Sequence, residues 1–282
     1  MNTEVYLCTI ERTIKKEWGI YGVLFKNFNV DIHKHEYYEI NIIYSGTGVH
    51  RIENESYQVK RGDVFMIPPF KTHGYSDAKG LDVFHLVFHP DFLSSHYQEA
   101  CSIDGFEIFT EIEPHLRANA GASRFLHLSE EELLGIQYDL KHVENKDKYF
   151  RYDNLIPLKQ AAALKVLYEL SLLMYKQTFN KDESKNSKYE QQILQVLEYI
   201  HKNYDKSLTI ESLCKEAYMS RSTFLRNFAL VTKTTPHQYI SQYRKNKAQQ
   251  LLLNKDFSKN DVAQICGYYD TSHMNSSINR LS

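Results

Sequence analysis

Two stretches near the end of the chain repeat one apolar skeleton about fifty residues apart, and this constrains the fold more than any other feature. Leu213, Cys214, Ala217, Met219, Phe224 and Phe228 in the first correspond to Val262, Ala263, Cys266, Tyr268, Met274 and Ile278 in the second, which carries one extra residue just after its turn. Each copy reads as a short helix, a tight turn and a second helix opened by a small polar residue, which is the helix-turn-helix pattern. Thr209 is placed to cap the first scaffold helix and Ser220 the helix after it, while Ser258 and Asp261 form a capping-box start in the second copy. Gly267 marks the second turn. Phe224, Leu225 and Phe228 are expected in the core, with Arg221, Ser222, Thr223, Arg226 and Asn227 on the opposite face. In the second copy Thr271, Ser272, His273, Asn275 and Ser276 face outward. Small and long polar groups of this kind suit base edges and phosphates, although a single such face would equally be a solvated surface. Between the copies, TTPHQYISQYRKNKAQQLLLN offers Thr235 as cap and Pro236 at the first helical position. A helix there would fix the separation of the two motifs, so that they could enter successive major grooves about 34 Å apart.

The region ahead of this repeat has a different texture. With 282 residues the chain is long enough for two domains. The polar run Asn180–Lys188 (NKDESKNSK) reads as a linker over 181–188. Up to about Pro90, YGVLFKNF, EINIIYSG, GVHRIEN, ESYQVKRG and DVFMIPP read as short strands punctuated by turn residues, which predicts an antiparallel β-barrel or sandwich. From Ser129 to residue 179 the pattern turns helical, with Leu158, Ala162, Val166, Leu170 and Leu173 on one stripe and Ala161, Leu164, Leu167 and Met174 beside it. A stripe that wide must be buried against the strands or against a second chain. The fold class is therefore α+β and multidomain: a strand-rich barrel over about 1–110, helices over about 129–179, and an all-α domain over 189–282.

Charge separates the same halves. From Glu190 onward the chain carries twelve Lys and Arg against eight Asp and Glu, whereas the first 180 residues carry 19 against 25. A basic half behind an acidic one suits contact with a polyanion. No run of eighteen apolar residues is present and the first residues do not read as a signal peptide, so no membrane partner is expected. Cys8, Cys101, Cys214 and Cys266 are scattered without a CxxC pair, which fits reduced thiols and a cytoplasmic location.

In the strand-rich part, HKHEYYE (His33–Glu39) sets two histidines and a carboxylate close together. Imidazoles with one carboxylate are suitable ligands for a transition metal. The same groups, with Tyr37, Tyr38, Tyr44, Tyr75 and His85 nearby in sequence, would also give a small molecule hydrogen-bond partners and aromatic walls. No GxSxG, phosphate-binding glycine loop or HExxH is present, and no enzyme is expected from these signatures.

YMSRSTFLRNF, TPHQYISQYRKNKAQQLL and VAQICGYYDTSHMNSSI resemble the DNA-binding domain of AraC/XylS-type transcription regulators over Tyr189 to Ser282. The resemblance implies base contacts from Ser222, Thr223 and Arg226, with Arg221 nearby, and from Thr271, Ser272, His273, Asn275 and Ser276. Serine stands at 276 where the family usually has arginine. The family also continues with a G-x-T-P-x-x-Y-R segment and a closing helix, so with its last residue at Ser282 the chain is expected to lack that final helix. The strand-rich part is similar to the cupin barrel: His33, His35, Glu39 and Gly46 match its first motif, and Gly62, Pro68 and His73 its second. Asn27, Phe70 and Asp77 replace a Gly, a Gly and an Asn of those motifs. The four positions that hold metal in cupin enzymes correspond to His33, His35, Glu39 and His73. Regulators with this barrel instead bind an organic effector, which implies a pocket of His33, His35, Tyr37, Glu39, Tyr44, His73 and His85, without metal or other cofactor. The combined resemblance implies a cytoplasmic homodimeric activator, controlled by a small molecule such as a sugar, that binds double-stranded promoter DNA and works with RNA polymerase. The alternative from another class is a cupin metalloenzyme, a dioxygenase or isomerase, with a helical appendage.

Overall fold

The computed structural model describes residues 5–120, 125–144, 155–179, 188–253 and 257–279, in two compact units, Met1–Gln177 and Thr178–Ser282. The linker expected over 181–188 lies almost wholly outside the described residues.

The first unit is built on eight strands: β1 (Tyr6–Cys8), β2 (Ile20–Phe25), β3 (Val30–His35), β4 (Tyr38–Ile52), β5 (Glu55–Lys60), β6 (Asp63–Ile67), β7 (His73–Phe88) and β8 (Leu126–His127). Its helices are α1 (Ile10–Thr13), α2 (Pro90–Ala100), α3 (Glu113–Ala120), α4 (Glu130–Leu140) and α5 (Ile156–Phe179), with a π-helical turn at Ile108–Ile112 running into α3. Two runs that the sequence suggests as separate strands, EINIIYSG and GVHRIEN, form the single long β4. It pairs with β7 along most of its length.

The first half of β4 pairs with β6 and the second half with β5, while β7 pairs with β3 at its start and β2 at its end. Register shifts between Ile43 and Val49 mark where the two long strands bend together. Gly46 sits at this bend with φ +75°, and a Cβ there would meet the Gly80 carbonyl oxygen at 2.2 Å, so no larger residue fits. Directly opposed residues share a face, which places Glu39, Asn41 and Ile43 with Ile67, Phe65, Val87, His85 and Val83 on one leaf. Beyond the bend, His50 and Ile52 share a face with Tyr75 and His73 on the other. Side-chain contacts between the leaves, such as His50 edge-on to Phe65 at 4.7 Å, close them over a common interior.

The expected antiparallel barrel needs correction in detail. β1 joins β3 in parallel, and the strand path β1-β3-β7-β4-β6-β8 does not close into a ring among the described residues. On α5 the buried stripe is Ala163, Val166, Leu167, Leu170, Ser171 and Met174, offset from the expected one, so that Leu158 is exposed.

The three departures from the cupin motifs have a common physical cause. Asn27, Phe70 and Asp77 all adopt left-handed φ values of 50°, 65° and 54°, the region where glycine is freest and where Asn and Asp are tolerated better than most residues. Phe70 is the costly member, and its amide donates to the His35 carbonyl at 2.7 Å, anchoring the loop beside the interior.

In the second unit α6 (Lys188–Lys202) packs against α7 (Ile210–Glu216) and α8 (Arg221–Thr232). The connecting helix α9 (Pro236–Leu253) packs on α8, α10 (Lys259–Ile265) and α11 (Thr271–Asn279). The expected caps are in place. Ser212 N–H donates to Thr209, Thr223 N–H to Ser220, Asp261 N–H to Ser258 and Gln238 N–H to Thr235. Tyr218 in the first turn and Gly267 in the second both take positive φ. A Cβ on Gly267 would lie 2.5 Å from the Asp205 carbonyl oxygen, so the second turn needs its glycine.

Candidate functional site

Two places collect the residues singled out by the sequence: the outer faces of α8 and α11, and the interior of the strand unit. On α8, Phe224 and Phe228 are fully buried while Arg221, Ser222 and Arg226 are exposed and Thr223 is half-buried. Ser222 and Arg226 stand one turn apart on the open face, and Arg221 pairs with Glu211 at 2.5 Å. Asn227, expected outward, is buried and its amide donates to the Thr223 carbonyl, while Leu225 is only half-buried. On α11, Ser272, His273, Asn275 and Ser276 are exposed, Thr271 is half-buried, and Met274 points into the core. Asp270 accepts from the His273 amide at 2.7 Å and closes the start of this helix.

The interior brings together His35, Glu39, His73 and His85 of the expected pocket. Glu39 is buried on the inner face of β4, with His85 Nδ1 at 3.4 Å from Oε2 and His73 Nε2 at 3.6 Å from Oε1. His35 Nδ1 donates to the Tyr37 carbonyl at 2.7 Å, and the Tyr37 ring stacks on the imidazole at 4.4 Å. Two expected members stand apart. His33 is half-buried at the edge, with Nδ1 on the Asp31 carbonyl at 2.9 Å, although its ring lies 4.4 Å from that of His73. Tyr44 falls on the other face of β4 and stacks on Phe84 at 5.6 Å. Asn41 and His50 were not singled out by the sequence. His50 lies buried between Tyr75, stacked at 4.0 Å, and His73, whose Nδ1 is 3.3 Å from His50 Nε2. Strand alternation from Glu39 carries the signal for Asn41, whereas the register shifts between Ile43 and Val49 change the parity before His50.

Burial pushes His35, His50 and His73 below the ordinary imidazole pKa, because charging them would place a cation in an apolar wall. Burial also opposes ionisation of Glu39, but His85, His35 and His73 around it outweigh that effect and hold its carboxyl well below the usual range. Five polar atoms of the histidines and Glu39 here have no hydrogen-bond partner among the described residues: His35 Nε2, Glu39 Oε1, His50 Nδ1, His73 Nε2 and His85 Nε2. Such groups are costly unless something satisfies them.

These shifts predict acid sensitivity. Three imidazoles held below their unfolded value of about 6.5 bind fewer protons folded than unfolded, so their stabilisation is present above about pH 6.5 and is lost as pH falls below it. Glu39 acts in the same direction lower down, below about pH 4.3. Thermal unfolding of the full chain should show a fall in the strand unit's midpoint between about pH 7.5 and about pH 5.5. A level midpoint across that window contradicts the buried neutral imidazoles.

No helix among the described residues is long and apolar enough to cross a membrane. The family model for the AraC-like ligand binding domain matches residues 23–144, and that for a helix-turn-helix domain matches residues 213–282. The chain is 24% identical over 250 residues to the HTH-type transcriptional activator RhaR of Enterobacter sp. (strain 638), covering 88% of this chain and 82% of the relative. It is 24% identical over 245 residues to RhaR of Mannheimia succiniciproducens, covering 87% and 81%. Among solved structures, ToxT of Vibrio cholerae O395 aligns with 92% of each chain at 11% identity and a TM-score of 0.39. The two matched domains, in this order on one chain with relatives along most of its length, show that it belongs to the AraC/XylS-type transcriptional regulators.

Proposed function

We propose that the protein is an effector-controlled activator of transcription that reads double-stranded promoter DNA through α8 and α11. The observation that carries this reading is the pair of capped helices, each burying one apolar stripe and exposing a polar face at matching places. Ser222, Thr223 and Arg226 are assigned to base edges in the first motif, with Arg221 beside the phosphates. Thr271, Ser272, His273, Asn275 and Ser276 are assigned to the second. Residues 1–180 form the sensing and dimerising part and 189–282 the DNA-binding part, in a cytoplasmic homodimer that engages RNA polymerase and has no catalytic role. The likeness to relatives described as activators supports the direction of control. The effector is a small molecule rich in oxygen atoms, such as a sugar, held by the buried polar groups between the leaves, with His33 and Tyr44 at most peripheral to it.

Arg226→Ala is expected to weaken site-specific binding by about 1–3 kcal/mol, roughly 5- to 150-fold, with less effect on nonspecific DNA. Mobility-shift titration on the protein's own promoter checks this. Unchanged affinity on that promoter removes Arg226 from the base-reading set.

A further inference from the structure

We propose that Tyr218 and Tyr269 clamp the DNA backbone, each donating its phenol hydroxyl to a phosphate beside the groove that α8 or α11 enters. The inference rests on the reading of those helices as DNA-binding elements and adds the residues that fix their register. The two rings are the most exposed large apolar side chains among the described residues, Tyr218 at 88% and Tyr269 at 94%. A lone exposed ring needs no explanation. Here one stands at the entrance of each outward-facing helix. Tyr218 lies two residues ahead of the Ser220 cap, and Tyr269 directly precedes Asp270, which closes the start of α11.

Neither ring belongs to the repeated apolar skeleton, and each stands where one copy departs from the other. The backbone bonds of the two turns match. Tyr218 N–H donates to the Lys215 carbonyl at 3.1 Å and Met219 N–H to the Cys214 carbonyl at 3.0 Å. Gly267 N–H likewise donates to Gln264 at 3.1 Å and Tyr268 N–H to Ala263 at 2.9 Å. Tyr218 therefore occupies the place of Gly267, with φ 51° against 67°. At this helix end glycine is the favoured residue and a bulky one is costly. The cost brings no packing in return, since the ring stays in solvent, and strain retained without structural gain points to function. In the second copy a ring at the same place is barred, because a Cβ on Gly267 would lie 2.5 Å from the Asp205 carbonyl oxygen. Tyr269 supplies the exposed ring instead, within the stretch that carries this copy's extra residue. Its neighbour Tyr268 turns inward, 8% exposed, with its hydroxyl on Ser277.

A tyrosine at the edge of a groove suits a phosphate better than a base. Its hydroxyl donates a hydrogen bond from the end of a rigid arm that has little rotamer freedom to lose. Tyrosine is among the side chains that hold phosphate oxygens, contacts that set register and orientation without reading sequence. Charge alone does not fix the backbone at these points. Arg221 is tied to Glu211 at 2.5 Å, and the Asp270 carboxylate adjoins Tyr269. Lys215, exposed three residues before Tyr218, attracts the same backbone without fixing its distance.

The experiment titrates the full chain and its Tyr218→Phe and Tyr269→Phe variants on a duplex of the protein's own promoter and on a duplex of scrambled sequence. Each variant is expected to lose about 3- to 10-fold on both duplexes alike, and the double variant about 10- to 100-fold. The slope of log affinity against log salt should keep its wild-type value, because a neutral donor releases no counterion. Ethylation interference should reveal phosphates whose modification blocks the wild type and no longer matters to the matching variant. Tyr218→Gly should raise the thermal midpoint of the helical unit by relieving the left-handed backbone, while weakening DNA binding as Tyr218→Phe does. Wild-type affinity of the double Phe variant on both duplexes overturns the inference. So does a Tyr218→Gly chain that unfolds below the wild type, since the ring is then a packing residue, and so does a loss confined to the promoter duplex. Arg226→Ala is run beside them. If it weakens promoter binding and the Phe variants do not, this inference fails alone, whereas a wild-type chain that binds neither duplex takes both readings down.

Discussion

Phe228→Ala is expected to destabilise the DNA-binding unit by about 3–5 kcal/mol, the usual cost of removing a buried aromatic ring. Phe228 is fully buried, meets Phe224 at 5.5 Å and stands edge-on to Tyr239 at 5.7 Å. It therefore ties α8, the helix assigned to base reading, to the connecting helix α9. Tyr239 in turn holds His201 of α6 through its hydroxyl at 2.9 Å, so the ring sits where three helices converge. Removing it leaves a cavity where these helices meet. Since domains are stable by only about 5–15 kcal/mol, this loss populates unfolded forms at ordinary temperatures. Promoter affinity should then fall with it. Leu230→Ala, at an exposed position of the same helix, should change stability by no more than about 0.5 kcal/mol. Urea unfolding of the two variants beside the wild type measures both. Equal midpoints would contradict the central place given to Phe228.

The repeat made the second unit legible because a helix declares itself through local signals. Caps at Thr209, Ser220, Thr235 and Ser258 are satisfied within three residues, and the 3.6-residue period of Phe224 and Phe228 needs no knowledge of a partner. Asn227 was misplaced because its side chain bonds back to the Thr223 carbonyl, a local alternative that an outward assignment ignores. The strand unit was less readable. Its motif spacing located His35, Glu39 and His73 in one interior, since the positions that set loop conformation, Gly46, Gly62, Asn27, Phe70 and Asp77, all take positive φ whether or not they are glycine. Membership of the interior was harder, because it depends on register. A single-residue change of parity puts Tyr44 outside and Asn41 inside, and the glycine-rich SGTG segment, read as a strand end, is the bend of one long strand. His50 follows only once the register shifts at that bend, which change the parity of the strand, are known. The offset stripe on α5 has a similar origin. Its apolar residues nearly encircle the helix, so composition leaves the buried direction to tertiary packing.

Arg117→Met is expected to cost the sensor unit about 3–5 kcal/mol, because a buried ion pair broken on one side leaves a desolvated charge behind. Arg117 is 1% exposed on α3, directly after the π-helical turn. Its Nη2 donates to the Met66 carbonyl of β6 at 2.6 Å, its Nε lies 2.9 Å from Glu113 Oε1, and its guanidinium sits 5.4 Å from the Phe65 ring centre. The Nε contact is one of charge more than of hydrogen bonding, since its direction is poor and Nε stays unsatisfied. Methionine keeps the length and the apolar stem but removes the cation, so the buried Glu113 loses its Arg117 contact and the Met66 carbonyl loses a donor. The consequences reach the interior: Phe65 lies opposite Asn41 and edge-on to His50, and the Arg117 carbonyl accepts from Tyr57. The double change Glu113→Leu with Arg117→Met removes both charges and should recover most of the loss, because a well-packed apolar pair often matches or exceeds a buried ion pair in stability. Thermal unfolding of the single and double variants forms the test. A single variant as stable as the wild type would show that the pair contributes no net stability, and a double variant no better than the single would place the cost in the lost Met66 contact instead.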